Sequence, residues 1–159
     1  TLFPYTTLFR SDTFIGGISM GGYGSLINGL RFSGNFSKIA MLSPALGFKR
    51  EDDEANPKSP SPKGELLATL GTWKEYQGSY KDYQAAAERA VKQPDRMPEM
   101  FLACGTADDL YGPDRDFARL MERLGHPLTW YEGAGGHDHT FWKAALAPMF
   151  RFLTGKEDA

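Results

Sequence analysis

Three short stretches of this sequence hold residue types that could do covalent chemistry. The first is Gly17-Ile18-Ser19-Met20-Gly21, a G-x-S-x-G pattern. A serine placed between a strand and a helix sits on a strained turn that lifts Oγ clear of the backbone. Flanking glycines let neighbouring chain approach that turn without a Cβ clash. The backbone N–H of the next residue, Met20, then points to where an oxyanion would form. The competing reading is a glycine-rich strand–helix turn with no chemistry. A phosphate-cradling loop is not indicated, because no Gly-Lys-Ser/Thr follows.

The second stretch is Cys104-Gly105-Thr106-Ala107-Asp108-Asp109. A carboxylate in a loop after a buried strand can orient a histidine and stabilise its protonated form, or it can simply cap a turn. Asp108 and Asp109 compete for that role, with Asp114 and Asp116 close behind, and residue type does not choose among them. The third stretch is Gly133-Ala134-Gly135-Gly136-His137-Asp138-His139. A histidine on a glycine-rich loop beside a serine-bearing strand is free to reach Oγ as a general base. His137 with His139 would be a metal pair only with a third ligand, and none stands at suitable spacing. His126, between Gly125 and Pro127, reads as an exposed turn residue. The order Ser19, Asp108, His137 is that of α/β-hydrolases, whereas chymotrypsin-like and subtilisin-like proteases run differently.

The elements needed to position these groups are legible. Thr13–Ile18 is a short apolar run that reads as a buried strand, followed by a helix whose Leu26, Ile27 and Leu30 share a face. Further strands are expected at Lys38–Ser43, Glu99–Cys104 and Leu128–Glu132. Helical pieces are expected at Glu65–Leu70, Lys81–Lys92 (capped by Ser79, with Asp82 three residues on), Pro113–Leu124 and His139–Leu153. Pro148 should kink the last of these. Strand alternating with helix implies a mostly parallel sheet flanked by helices, with reactive groups at the carboxyl ends of the strands. Between Phe48 and Lys63 the chain turns charged and Pro/Ser-rich, a surface excursion.

Composition narrows the class. The 159 residues are 41% hydrophobic and 24% charged, which suits a globular domain. Eighteen basic against twenty acidic residues leave no footprint for nucleic acid or an anionic membrane. No apolar run is long enough to span a bilayer. The single cysteine, Cys104, excludes an internal disulfide framework and leans towards a cytoplasmic setting. Residues 1–11, TLFPYTTLFRS, resemble the in-frame translation of a sequencing-library adapter at every position and are set aside from fold reasoning. On that reading the native sequence starts at about Asp12, inside a gene whose upstream portion is missing. The piece as given would then be inactive, with the strand before Ser19 left as an exposed apolar edge.

GGISMGGYGS around Ser19, CGTADDLYGPDRDF around Asp108 and YEGAGGHDHTFW around His137 resemble the esterase D-type esterases. That family includes S-formylglutathione hydrolases, tributyrin esterases, acetylxylan and feruloyl esterases, and mycolyltransferases. The likeness is greatest to the bacterial tributyrin esterase and acetylesterase branch. The resemblance implies the C-terminal half of an α/β-hydrolase fold over residues 12–159. It implies Ser19 as nucleophile, His137 of G-G-H as base and Asp108 of G-T-x-D as acid. Asp109 stands where the family often carries an apolar residue. The Met20 N–H would give half of the oxyanion hole, and the second donor, upstream in the family, is not located here. Such chemistry needs no metal or organic cofactor.

The implied activity is hydrolysis of short acyl or acetyl esters, possible carbohydrate esters among them. A formylglutathione thioesterase and a non-catalytic carbohydrate-binding module on the same fold are the alternatives. Residues 47–96 fall at the family's variable lid position. Trp73, Tyr76, Tyr80 and Tyr83 there would either stack on a sugar or acyl chain or simply pack a small cap.

Overall fold

In the computed structural model, residues 13–49 and 62–156 are described. The adapter-like residues 1–11 and most of the charged excursion lie outside them.

Four parallel strands form one sheet: β1 (Phe14–Ile18), β2 (Lys38–Leu42), β3 (Glu99–Gly105) and β4 (Thr129–Gly133), side by side in chain order. Because side chains alternate across a strand, β2 and β3 feed two cores at once. Ile39, Met41, Met100, Leu102 and Cys104 face one way, and Ala40, Leu42, Phe101 and Ala103 face the other. This explains why β2 and β3 read as unbroken apolar runs and not as alternating ones. On the first face lie α1 (Met20–Arg31), α2 (Pro62–Leu70), the short α3 (Trp73–Tyr76), α4 (Tyr83–Ala90) and α5 (Tyr111–Arg123). On the second lies α6 (His139–Thr154), packed through Phe141 and Ala145. β1 is an edge strand among the described residues, and its Ile18 is 40% exposed.

Two local expectations are corrected. α4 is capped by Asp82, whose Oδ1 accepts from the N–H groups of Gln84 and Ala85 at 3.0 and 3.2 Å; Ser79 instead accepts from Lys81 N. The cap must sit next to the first turn, and Asp82 does. Pro148 lies inside α6, which runs on to Thr154. His126 is half-buried, with its N–H donating to the carbonyl of Met121 at 2.9 Å.

Candidate active site

Ser19 follows β1 directly and opens α1. Its backbone sits at φ 55°, ψ −122°, in the left-handed half of the map that a side chain adopts only at a cost. Hydrogen bonds hold it there: Ser19 N donates to Leu42 O at 2.9 Å, and Ser19 O accepts from Tyr23 N and Ala45 N at 3.0 and 3.1 Å. The glycine pattern has a more specific cause than the sequence suggested. A Cβ on Gly17 would collide with the backbone of Gly21, and one on Gly22 would crowd Gly17 O and Pro44 at 3.1 Å. A Cβ on Gly21 would meet nothing. Gly17 and Gly22 therefore let the helix start close against the strand, and Gly22 was missed because it lies outside the five-residue pattern.

The acid and histidine loops are zipped together at the ends of β3 and β4. Thr106 N donates to Gly133 O and Ala107 N to Gly135 O, both at 2.9 Å. Gly105 must be glycine, since a Cβ there would strike the Gly135 backbone. Asp138 caps α6 and clamps the same loop. Its Oδ1 accepts from Thr140 N and Phe141 N at 2.8 and 3.0 Å, and its Oδ2 from Gly136 N at 3.0 Å. The hydrogen bond from Phe141, then that from Gly136, holds the Asp138 carboxyl below its ordinary range.

These loops bring three expected residues into one line. His137 Nε2 lies 2.9 Å from Ser19 Oγ, and His137 Nδ1 lies 2.9 Å from Asp108 Oδ2. Asp108 is a buried acceptor, its other oxygen taken by Leu110 N at 2.9 Å. An ionised carboxylate can only accept, so Nδ1 carries the proton and Nε2 is left to accept from the serine hydroxyl. Met20, as the first residue of α1, has an N–H with no helical acceptor.

The competing acids go elsewhere. Asp109 is exposed beside the serine, and Asp116 pairs with Arg119 on the helix surface at 3.2 Å. Asp114 is fully buried in α5, with neither carboxyl oxygen hydrogen-bonded among the described residues. Burial pushes it up to about 8; the Cys104 thiol offsets this in part, and the charge of Asp108 adds to it. Asp114 therefore holds its proton well above the ordinary carboxylate range. Burial likewise pushes the Cys104 thiol up, so it is no nucleophile.

His139 does not join the line but packs edge-on to Trp142 at 5.2 Å. Trp142 also meets the His137 ring edge-on at 5.0 Å, and its Nε1 donates to the buried Ser43 Oγ at 3.2 Å. Ser43 and Trp142 thus buttress the His137 ring. No sequence pattern marked them, because the contact spans two distant segments.

A cavity of about 400 Å³ opens over Ser19 and His137, walled by Met20, Ala45, Leu66 and Leu110 and edged by Glu65 and Asp109. None of Trp73, Tyr76, Tyr80 and Tyr83 lines this cavity. Tyr76 and Tyr83 are buried in the core on the first face of the sheet, and Trp73 packs with Phe48 and Tyr76 at ring separations of 5.6–5.9 Å. Tyr80 lies against Arg31. Of the two readings, packing accounts for Trp73, Tyr76 and Tyr83.

A parallel sheet that carries a strained serine, an acid and a histidine at the carboxyl ends of its strands, in that chain order, is an α/β-hydrolase. Residues 5–153 match the family described as "Putative esterase", and the chain belongs to that family. It is 32% identical over 155 residues to an acetyl esterase of Caldicellulosiruptor saccharolyticus, covering 94% of this chain and 57% of that protein. Among solved structures it resembles FphF, a fluorophosphonate-binding serine hydrolase of Staphylococcus aureus, with 28% identity and a TM-score of 0.76 over 95% of this chain and 57% of that one. It also resembles the S-formylglutathione hydrolase FrmB of the same organism, with 26% identity and a TM-score of 0.69 over 96% and 54%. The chain thus spans little more than half the length of these relatives. Among the described residues no helix is long and apolar enough to cross a membrane.

Proposed function

We propose that this chain carries the reacting residues of a serine carboxylesterase for short acyl, and in particular acetyl, esters. Ser19 Oγ attacks the ester carbonyl while His137 Nε2 takes its proton. Asp108 holds the imidazole in the required tautomer and stabilises the imidazolium. The Met20 N–H donates to the oxyanion of the tetrahedral intermediate. His137 then protonates the leaving alcohol, an acyl-Ser19 ester remains, and water activated by His137 releases the carboxylic acid. One observation carries the reading: the unbroken Ser19–His137–Asp108 line, with both contacts at 2.9 Å. The small apolar cavity and the similarity to an acetyl esterase support a short acyl group.

The test is turnover of 4-nitrophenyl acetate by Ser19→Ala and His137→Ala variants of the full-length enzyme, the form used in all the activity measurements below. Each should lose roughly 10³-fold or more in kcat, because members of such a unit fail together. A Ser19→Ala enzyme with near-normal turnover would overturn the reading.

A further inference from the structure

The cavity over Ser19 has an uneven charge that its catalytic role leaves unused. Two carboxylates edge it from separate elements: Glu65 on α2 and Asp109 in the loop after β3. Both are exposed, and neither is hydrogen-bonded or ion-paired among the described residues. The third carboxylate of the cavity, Asp108, is engaged by His137. None of the described lining residues is a lysine or arginine. Met20, Ala45, Leu66 and Leu110 make the rest of the described wall apolar.

Resting on the esterase reading above, we propose that the apolar wall takes the acyl group and that Glu65 and Asp109 select the leaving group, favouring a neutral, hydroxyl-bearing alcohol over an anionic one. Free carboxylates accept strong hydrogen bonds from hydroxyl groups. A negative group brought to the same place meets two like charges, with no lysine or arginine among the described lining residues to offset them. Glutathione carries two carboxylates, so its thioesters fall on the disfavoured side. Sugar and polyol acetates fall on the favoured side. The two residues do not touch the reacting atoms, so their effect lies in discrimination between substrates and not in the bond-breaking step.

The test uses two acetate esters of nearly equal shape, 4-acetoxy-3-nitrobenzamide and 4-acetoxy-3-nitrobenzoate, which differ by one negative charge on the leaving phenol. After correction for spontaneous hydrolysis, kcat/KM should favour the neutral ester about tenfold at low ionic strength. The ratio should shrink towards unity at 0.5 M salt, where screening of exposed charges is nearly complete. Glu65→Gln combined with Asp109→Asn should bring the ratio close to unity at low salt, and Glu65→Gln alone should move it part of the way. The salt series on the unmodified enzyme stands even if the double variant fails to fold. Equal turnover of the two esters, or a preference that salt does not move, would overturn this inference and leave the esterase reading intact. Turnover of neither ester would overturn both.

Discussion

Asp114 offers a test of the electrostatics behind the acid loop. Its carboxyl is fully buried near the start of α5, with no nitrogen or oxygen hydrogen-bond partner among the described residues, and raised from 3.8 to about 8. The ionisable groups that face it are Cys104 from β3, Asp108 from the acid loop and Tyr83 from α4. The folded state binds the proton more tightly than the unfolded chain does. The stabilising contribution is therefore complete below about pH 3.8 and is lost progressively up to pH 8; above that, nothing further changes. At about 1.36 kcal/mol per pKa unit, a rise of about four units sets a ceiling of about 6 kcal/mol, which relaxation around the buried group reduces.

Asp114→Asn keeps the shape and removes the titration, but it leaves an amide without acceptors, at about 1–3 kcal/mol. The variant should therefore be less stable than the parent by about 1–2 kcal/mol at pH 4.5, and more stable by about 2–4 kcal/mol at pH 9. Urea denaturation followed by circular dichroism across that range reads the difference directly. A difference with the same sign and size at both pH values would refute the buried neutral acid.

Two further substitutions probe the loops. Asp108→Asn should lower kcat by about 10³–10⁴, as loss of the orienting carboxylate does in such triads, while Asp109→Asn should cost at least a hundredfold less. Equal losses in 4-nitrophenyl acetate turnover would mean that the acid was misassigned. Gly105→Ala forces a methyl into the Gly135 backbone and should cost about 1–3 kcal/mol in urea unfolding together with most of the turnover. Parent-like behaviour in both would show that the two loops are not held by that contact.

The parallel sheet was legible because β2 and β3 are apolar on both faces and are separated by amphipathic helices; the order of its strands was not read from the sequence. The serine and histidine were legible for a related reason: Ser19 and His137 each lie in a glycine-rich loop directly after a strand. The acid was not legible from residue type, and only the G-T-x-D resemblance pointed to Asp108, since Asp108, Asp109, Asp114 and Asp116 are chemically alike and differ only in where α5 and the loop turn them. One points at His137, one edges the cavity, one is buried and one pairs on the surface. The Ser43–Trp142 support behind His137 was hidden for another reason. It joins residues 99 positions apart, and neither carries a local signal. The aromatics of residues 73–83 left two readings open, because an aromatic cluster that packs in a core looks in sequence like one that binds a ligand.

The central claim is that Ser19 is the nucleophile, and covalent trapping tests it most directly. Treatment with a fluorophosphonate, followed by intact-mass and peptide mass spectrometry, should show one adduct, located on Ser19. The adduct should be absent from Ser19→Ala and form far more slowly in His137→Ala, where no base takes the hydroxyl proton. An adduct on another residue, or unchanged labelling of Ser19→Ala, would contradict the account.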